Sequence, residues 1–110
     1  LDVYDDTNNV PLPFCDRAFA DGIANALADD GVFVANFHVG SADEDARADR
    51  AADSYRSAFG ELRAAPVRYQ GNRVFVGGAE GVGAGAGAAA ERLGWPFDPR
   101  SRLKRLERVS

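Results

Sequence analysis

The stretch that decides the fold is GVFVANF, residues 31–37. It is a nearly continuous apolar run, rich in branched and aromatic side chains, which is typical of a strand covered by helices on both faces. Strands of this kind lie in the middle of parallel sheets. We therefore predict a central parallel strand here and interpret the neighbouring segments by their relation to it.

Helical patterns flank this strand on both sides. Between residues 17 and 28 apolar side chains recur every four positions, which predicts a helix with one apolar face. Gly31 is suited to a left-handed cap at the end of this helix. Residues 41–44, SADE, have the form of a capping box. They predict a second helix from Ala42 to about Phe59, ended by Gly60.

Two further segments carry strand patterns. Residues 1–5, LDVYD, read as the end of a buried strand, and because a strand needs a partner and no methionine precedes it, we expect a piece of a larger protein. Residues 67–69 and 74–76 are short β runs around a Gly-Asn turn, which predicts a hairpin. The fold class is therefore α/β, with two parallel strands and their helices, closed at one sheet edge by a terminal antiparallel β-hairpin.

The chain divides into three predicted parts. Residues 1–77 form the α/β domain, and residues 78–90 are a Gly- and Ala-rich linker. Residues 91–110 form a carboxyl-terminal helical extension with a basic outer face. A short helix there, with Leu103, Leu106 and Val109 on one side, is expected to dock weakly.

Composition excludes several classes of function. The net charge of −4 argues against a nucleic-acid partner, although residues 100–108 carry five basic side chains. No run of apolar residues is long enough for a membrane span, so no membrane partner is expected. Cys15 is the only cysteine, which rules out an internal disulfide and a cysteine-based metal cluster. The expected setting is the cytoplasm or an organelle matrix.

The candidate chemical residues follow the two parallel strands. Asp2 and Asp5 lie at a strand's carboxyl end, where open α/β sheets place ligands and where a carboxylate can take a proton from an amine or hold an ammonium group. The alternative is that both are turn or cap residues. Asn36 and His38 end the next strand; His38 suits general base work, or a structural hydrogen bond. Tyr4 either stacks on a ligand ring or packs beneath the loop.

Two other features are weaker candidates. Residues 81–85, GVGAG, imitate a phosphate-binding glycine loop but lack the following helix, strand and acid of a dinucleotide site, so low complexity is the preferred reading. Cys15 occupies a position suited to a helix cap, without a neighbouring base to activate it. We read it as a small, partly buried thiol.

These motifs, in their order, resemble the carboxyl-terminal half of a spermidine synthase-like protein. The resemblance covers residues 1–76 and extends, less closely, to residues 96–99. The motifs that carry it are Asp2-x-x-Asp5, Pro11 and Pro13 ahead of a helix with Phe19 and Leu27, DGVFVAN at 30–36, Phe59-Gly60, and GNxVxV at 71–76. It implies the class I S-adenosylmethionine-dependent methyltransferase fold, a Rossmann-like seven-stranded sheet that ends in an antiparallel hairpin.

The resemblance also implies an activity. Asp2 matches the aspartate that deprotonates the attacking amine in aminopropyltransferases, and Asp5 the one that helps to hold the diamine. The co-substrate is S-adenosylmethionine or its decarboxylated form, bound by a glycine loop that belongs to the other half, so cofactor-binding residues stay unknown and this piece alone is expected to be inactive. No metal is implied.

The departures from the family leave the acceptor open. Where spermidine synthases have Asp-Ser-Ser-Asp-Pro, this chain has DVYDDTNNVP, and Asn36-Phe37-His38 stands where those enzymes use a Gln. The chain is therefore closer to spermidine synthase-like methyltransferases, with a small-molecule amine or another methyl acceptor as partner and a homodimer left open. A plain methyltransferase, in which Asp2 only orients the acceptor, and a non-catalytic α/β interaction module are the alternatives.

Overall fold

The computed structural model describes residues 1–65, 71–78, 91–94, 96 and 107–109. Within them a mixed α/β fold packs a short 3-10 turn and two helices against an antiparallel sheet. The elements are the 3-10 turn Leu12–Cys15, α1 Arg17–Ala26, β1 Phe33–His38, α2 Ala42–Phe59, β2 Leu62–Ala65, β3 Asn72–Gly77 and β4 Glu107–Arg108.

The sheet has the order β1-β3-β2-β4, and each of these neighbouring pairs is antiparallel. In the register of β1 and β3, Phe33 lies opposite Gly77 and His38 opposite Asn72. β3 is thus an inner strand, between β1 and β2. The two-residue strand β4 borders β2, where the backbone N–H of Val109 donates to Leu62 O at 2.8 Å.

The first residue runs beside β1 in the parallel sense. The amino group of Leu1 donates to Val34 O, and Asn36 N–H donates to Leu1 O at 3.0 Å. Two bonds that flank a single residue of the partner strand, here Ala35, are the pattern of parallel neighbours. The predicted first strand is reduced to this one point of pairing, because the chain turns into a loop soon after Tyr4.

The core lies between the helices and one face of the sheet. Alternate side chains of β1 (Phe33, Ala35 and Phe37) are buried against α2, where Tyr55 is fully enclosed, and Phe75 of β3 completes the aromatic cluster. On the opposite face of β1 Val34 is exposed, as is Val32 just before the strand. Burial therefore alternates along β1 with a period of two, whereas the sequence predicts burial on both faces of residues 31–37.

The second predicted helix is confirmed in its bounds and its cap. α2 runs from Ala42 to Phe59, Ser41 Oγ accepts from Glu44 N–H at 3.2 Å, and the Glu44 carboxylate accepts from Ser41 N–H at 3.1 Å. Gly60 ends the helix with a φ of 75°. The first helix is shorter than predicted.

α1 ends at Ala26 because Leu27 takes an extended conformation with its side chain packed on the core. Gly31 does not adopt the predicted left-handed cap. The glycine is needed for close approach instead, since a Cβ at this position would lie 2.9 Å from Ala28 O.

The hairpin prediction is confirmed in its antiparallel pairing and in its second strand. The second predicted run lies in β3, which pairs with β2, Leu62–Ala65; this pair lies on one side of β1, and the two-residue strand β4 follows β2. Both edges of β3 are paired, one with β1 and the other with β2. The predicted first run, residues 67–69, lies outside the described residues.

The carboxyl-terminal part of the chain is described only in pieces. The linker predicted at 78–90 lies outside the described residues except for Gly78, and so does the glycine run 81–85. Residues 107–108 pair as a strand, whereas the sequence predicts a helix there, because β2 offers a free edge and Val109 packs against the core. None of the helices among the described residues is both long and apolar enough to cross a membrane.

Candidate functional site

The candidate site lies where the Leu1 segment meets the last residues of β1. The hydrogen bonds of Leu1 to β1 fix the register, so Asp2 comes to lie beside Asn36. Asn36 Nδ2 donates to Asp2 Oδ1 at 3.3 Å. Asp2 is exposed and Asn36 is half-buried. The strand-end aspartate and the strand-end asparagine of the sequence prediction are thus neighbours.

Strand β3 supports this pair from the other side. Asn72, the first residue of β3, donates from Nδ2 to Asn36 Oδ1 at 2.8 Å in a partly buried position. Asn36 therefore accepts on one side of its amide and donates on the other. The result is a chain of hydrogen bonds, Asn72 to Asn36 to Asp2, which we call the amide relay; it restrains the orientation of the Asp2 carboxylate.

Two aromatic rings form a wall beside the amide relay. Tyr4 and His38 stack with ring centroids 4.3 Å apart and an interplanar angle of 26°. The Tyr4 hydroxyl donates to Asn36 O at 3.1 Å. Partial burial, and then the negative charge of Asp2, raise the pKa of Tyr4. A raised pKa keeps the phenol neutral, so Tyr4 acts as a hydrogen-bond donor and a stacking ring.

The His38 ring is held by the loop that follows Tyr4. Asn8 Nδ2 and His38 Nδ1 are 3.0 Å apart. An amide NH2 group only donates, so this contact is a hydrogen bond in which His38 Nδ1 is the acceptor. Asn8 has a φ of 63°, a left-handed conformation that asparagine tolerates better than most residues. The loop is thus built to present Asn8 to the imidazole.

Asp5 organises that loop from within. Its Oδ1 accepts from Thr7 Oγ1 at 2.6 Å, from Thr7 N–H at 2.9 Å and from Asn9 N–H at 3.1 Å. These bonds, the Thr7 hydroxyl foremost and Asn9 next, hold the pKa of Asp5 below its usual range, with a smaller contribution from the charge of Arg47. Asp5 is therefore an ionised loop anchor in this structure.

Arg47 of α2 ties the same loop to the helical layer. Its NH1 donates to Val10 O at 2.8 Å and lies 3.8 Å from Asp5 Oδ2, and its Nε donates to Asp43 Oδ2 at 3.2 Å. Because α2 is long and well capped, the loop is attached to a rigid element.

The structure brings together most, but not all, of the residues singled out from the sequence. Asp2, Tyr4, Asn36 and His38 converge, whereas the Asp5 carboxylate faces its own loop. Asn72 was missed. The Gly71-Asn72 pair reads as turn chemistry, and only the antiparallel register of β1 and β3 brings Asn72 to Asn36.

The lone cysteine lies elsewhere. Cys15 is fully buried in the 3-10 turn, more so than predicted, with Sγ 3.8 Å from Pro11 O, and burial raises the pKa of its thiol. In the described part of the chain, no group of three or more His, Cys, Asp or Glu side chains is placed to hold a metal ion.

Chemically, the site presents an oriented carboxylate next to two stacked rings. A carboxylate in this setting can bind an ammonium group or accept a proton from an amine, and the rings can cover the apolar part of a small ligand. Comparisons with protein-family models, with curated proteins and with solved structures gave no match to the chain.

Proposed function

We propose that the chain is the acceptor-side half of a spermidine synthase-like transferase. It would use S-adenosylmethionine or its decarboxylated form as co-substrate and transfer a methyl or aminopropyl group to a small amine. In this proposal the fold is the carboxyl-terminal half of a Rossmann-like methyltransferase sheet, and Asp2 faces the group that is transferred.

The observation that carries the proposal is the parallel pairing of Leu1 with β1, which places Asp2 beside Asn36. Carboxyl ends of adjacent parallel strands are where α/β sheets bind their ligands. The antiparallel pair of β2 and β3 that follows next to β1 agrees with a sheet that ends in an antiparallel hairpin. Both features concern how segments pair in the sheet, so they support the family resemblance independently of the sequence motifs.

The chemistry assigned to Asp2 is general base catalysis with positioning. The bound ammonium first gives a proton to the Asp2 carboxylate, which frees the nitrogen lone pair. The nitrogen then attacks the carbon bonded to the sulfonium sulfur; as the new C–N bond forms, the C–S bond breaks and its electron pair stays on sulfur, leaving a neutral thioether and a substituted ammonium product. The proton taken up by Asp2 then passes to water. The amide relay holds that carboxylate in one orientation, which favours attack by a positioned nitrogen.

No residue of this chain is assigned to the co-substrate. The residues around Asp2 suit an amine and its apolar stem, and none of them forms a glycine-rich cradle for a nucleoside. The co-substrate would therefore bind to the other half of the domain, and experiment decides between methyl and aminopropyl transfer.

The test is product formation by the protein encoded by the complete reading frame. It is incubated with primary amines and, in parallel, with S-adenosylmethionine or decarboxylated S-adenosylmethionine, and the products are identified by mass spectrometry. A methylated or aminopropylated amine supports the proposal and identifies the transferred group. Absence of both products from both co-substrates, together with no binding of either, refutes it and leaves the non-catalytic interaction module.

A further inference from the structure

Asp5 has little capacity left for a ligand. Its Oδ1 accepts three hydrogen bonds, two from Thr7 and one from Asn9, and its Oδ2 faces the Arg47 guanidinium at 3.8 Å. A carboxylate has about four acceptor positions in total. An ammonium group that approached Asp5 would compete with the bonds that fold the loop and with a cation that is already present.

Asp2 differs from Asp5 in each of these respects. It is exposed, and its Oδ1 accepts a hydrogen bond from the neutral amide of Asn36. Among the described residues it forms no ion pair, so its charge is not offset by a neighbouring cation there. The two carboxylates share a strand-end motif but are not equivalent: Asp2 is exposed to solvent with one hydrogen bond from Asn36, whereas Asp5 is bonded by Thr7 and Asn9 of its own loop.

The surroundings of Asp2 suit one cation with an apolar stem. The stacked Tyr4 and His38 rings lie beside it, and Tyr4 is tied to the same Asn36 that orients the carboxylate. Aromatic faces attract ammonium groups and cover aliphatic carbon. Asn8, which contacts His38, contributes an amide rather than a second negative charge.

We infer that the acceptor is recognised through a single cationic amine by Asp2, and that a second ammonium group, as in a diamine, gains nothing at Asp5. This inference rests on the proposed transferase function and narrows it to acceptors that are bound through one amine, so that a diamine has no advantage over a monoamine. It separates the two aspartates of the D-x-x-D motif into a ligand-binding residue and a loop-anchoring residue.

The experiment compares two amines of equal carbon length, butylamine and 1,4-diaminobutane, with the full-length protein. Binding is followed by the NMR signals of the Asn36 and Asn72 side-chain amides during titration with each amine, and kcat/KM is measured for each as acceptor. The binding measurement needs no turnover, so it stands even where the transfer reaction is not found. Asp2→Asn serves as the loss-of-binding variant and Asp6→Asn, in the exposed part of the same loop, as the charge-matched control.

The inference predicts that both amines shift the two amide signals with affinities within about threefold of each other, since no charge-assisted bond to a second ammonium is gained. Asp2→Asn should abolish these shifts and Asp6→Asn should retain them. A preference of about tenfold or more for the diamine, lost in Asp5→Asn, overturns the inference and leaves the transferase function intact. Absence of any shift with either amine overturns it as well.

Discussion

The Asp5 carboxylate shows how one residue can organise the loop beside the site. Its three hydrogen bonds to Thr7 and Asn9 favour the charged form, so its pKa in the folded state is lowered. A lowered folded-state pKa gives stability that is present above the pKa of the unfolded chain. That stability is lost as the pH falls through the folded-state pKa.

We therefore expect Asp5→Asn to lower the free energy of unfolding at neutral pH, and the difference from the wild type to shrink as the solution is acidified. Chemical denaturation at neutral pH and at roughly pH 3, below the usual pKa of an aspartate, measures this. Asp6→Asn removes the same charge from an exposed neighbour and is the control. Equal stability of the two variants at neutral pH would show that the Asp5 bonds do not stabilise the loop.

Tyr55 is a second residue whose polar side-chain group stabilises the fold. It is fully buried, its OH donates to Phe14 O at 2.6 Å, and burial raises its pKa. Tyr55→Phe should cost about 1 kcal/mol at neutral pH, since the carbonyl of Phe14 loses its partner.

The raised pKa of Tyr55 also predicts a pH dependence. The wild type has its full stability below the pKa of an unfolded tyrosine and loses stability as the pH rises towards the folded-state value, because the folded state resists ionisation. Tyr55→Phe should lose less stability between pH 8 and about pH 11, a range that spans the ordinary tyrosine pKa. Parallel alkaline losses in the two proteins would contradict this role of the hydroxyl.

At the scale of the element, α2 depends on its first turn. Ser41 and Glu44 form a reciprocal capping box, and acidic side chains follow at Asp43 and Asp45 where the helix dipole favours negative charge. Ser41→Ala should lower the free energy of unfolding by about 1 kcal/mol. Ser57→Ala, the same change at an exposed position inside α2, should be neutral or slightly stabilising, and an equal loss in both would count against the cap.

The packing of α2 on the sheet depends on a glycine. A Cβ at Gly77 of β3 would lie 2.6 Å from Cδ2 of Phe59, whose ring stacks on Phe33 at 5.7 Å. Gly77→Ala should therefore destabilise the fold by about 1–3 kcal/mol, the usual cost of overpacking. Gly22→Ala in α1, where an added Cβ would meet no atom within 4 Å beyond its own helix backbone and chain neighbours, should instead stabilise it. Thermal unfolding compares the two, and a shift of the same sign in both variants would contradict the contact.

For the whole molecule, local signals were sufficient to predict α1 and the full extent of α2, but not the strand at residues 107–108 or the order of the sheet. The capping box and Gly60 fix the two ends of α2 through contacts within a few residues, and both were readable from the sequence. The position of β3 beside β1 depends on pairing across more than thirty residues, which no local pattern encodes, whereas its pairing with β2 joins neighbouring segments of the chain. The short β4 is a sheet-edge pairing of the same kind.

In the candidate site, too, some residues could be predicted from the sequence, whereas other features depend on contacts between distant parts of the chain. Asp2, Asn36 and His38 could be predicted because strand ends in an α/β sheet are recognisable in the sequence. The different fates of Asp2 and Asp5 could not, since they depend on whether Thr7, Asn9 and Arg47 reach one carboxylate or the other. Asn72 required the sheet register, because its contact with Asn36 joins two antiparallel strands.

The most direct test of the central claim, that Asp2 is the base of an amine transferase, is kcat/KM of the full-length Asp2→Asn protein with a primary monoamine acceptor. We predict a loss of about 100-fold or more, the usual contribution of a positioned general base, with circular dichroism unchanged. The Asp6→Asn control should stay within about twofold of the wild type. Wild-type kcat/KM in Asp2→Asn would contradict the account.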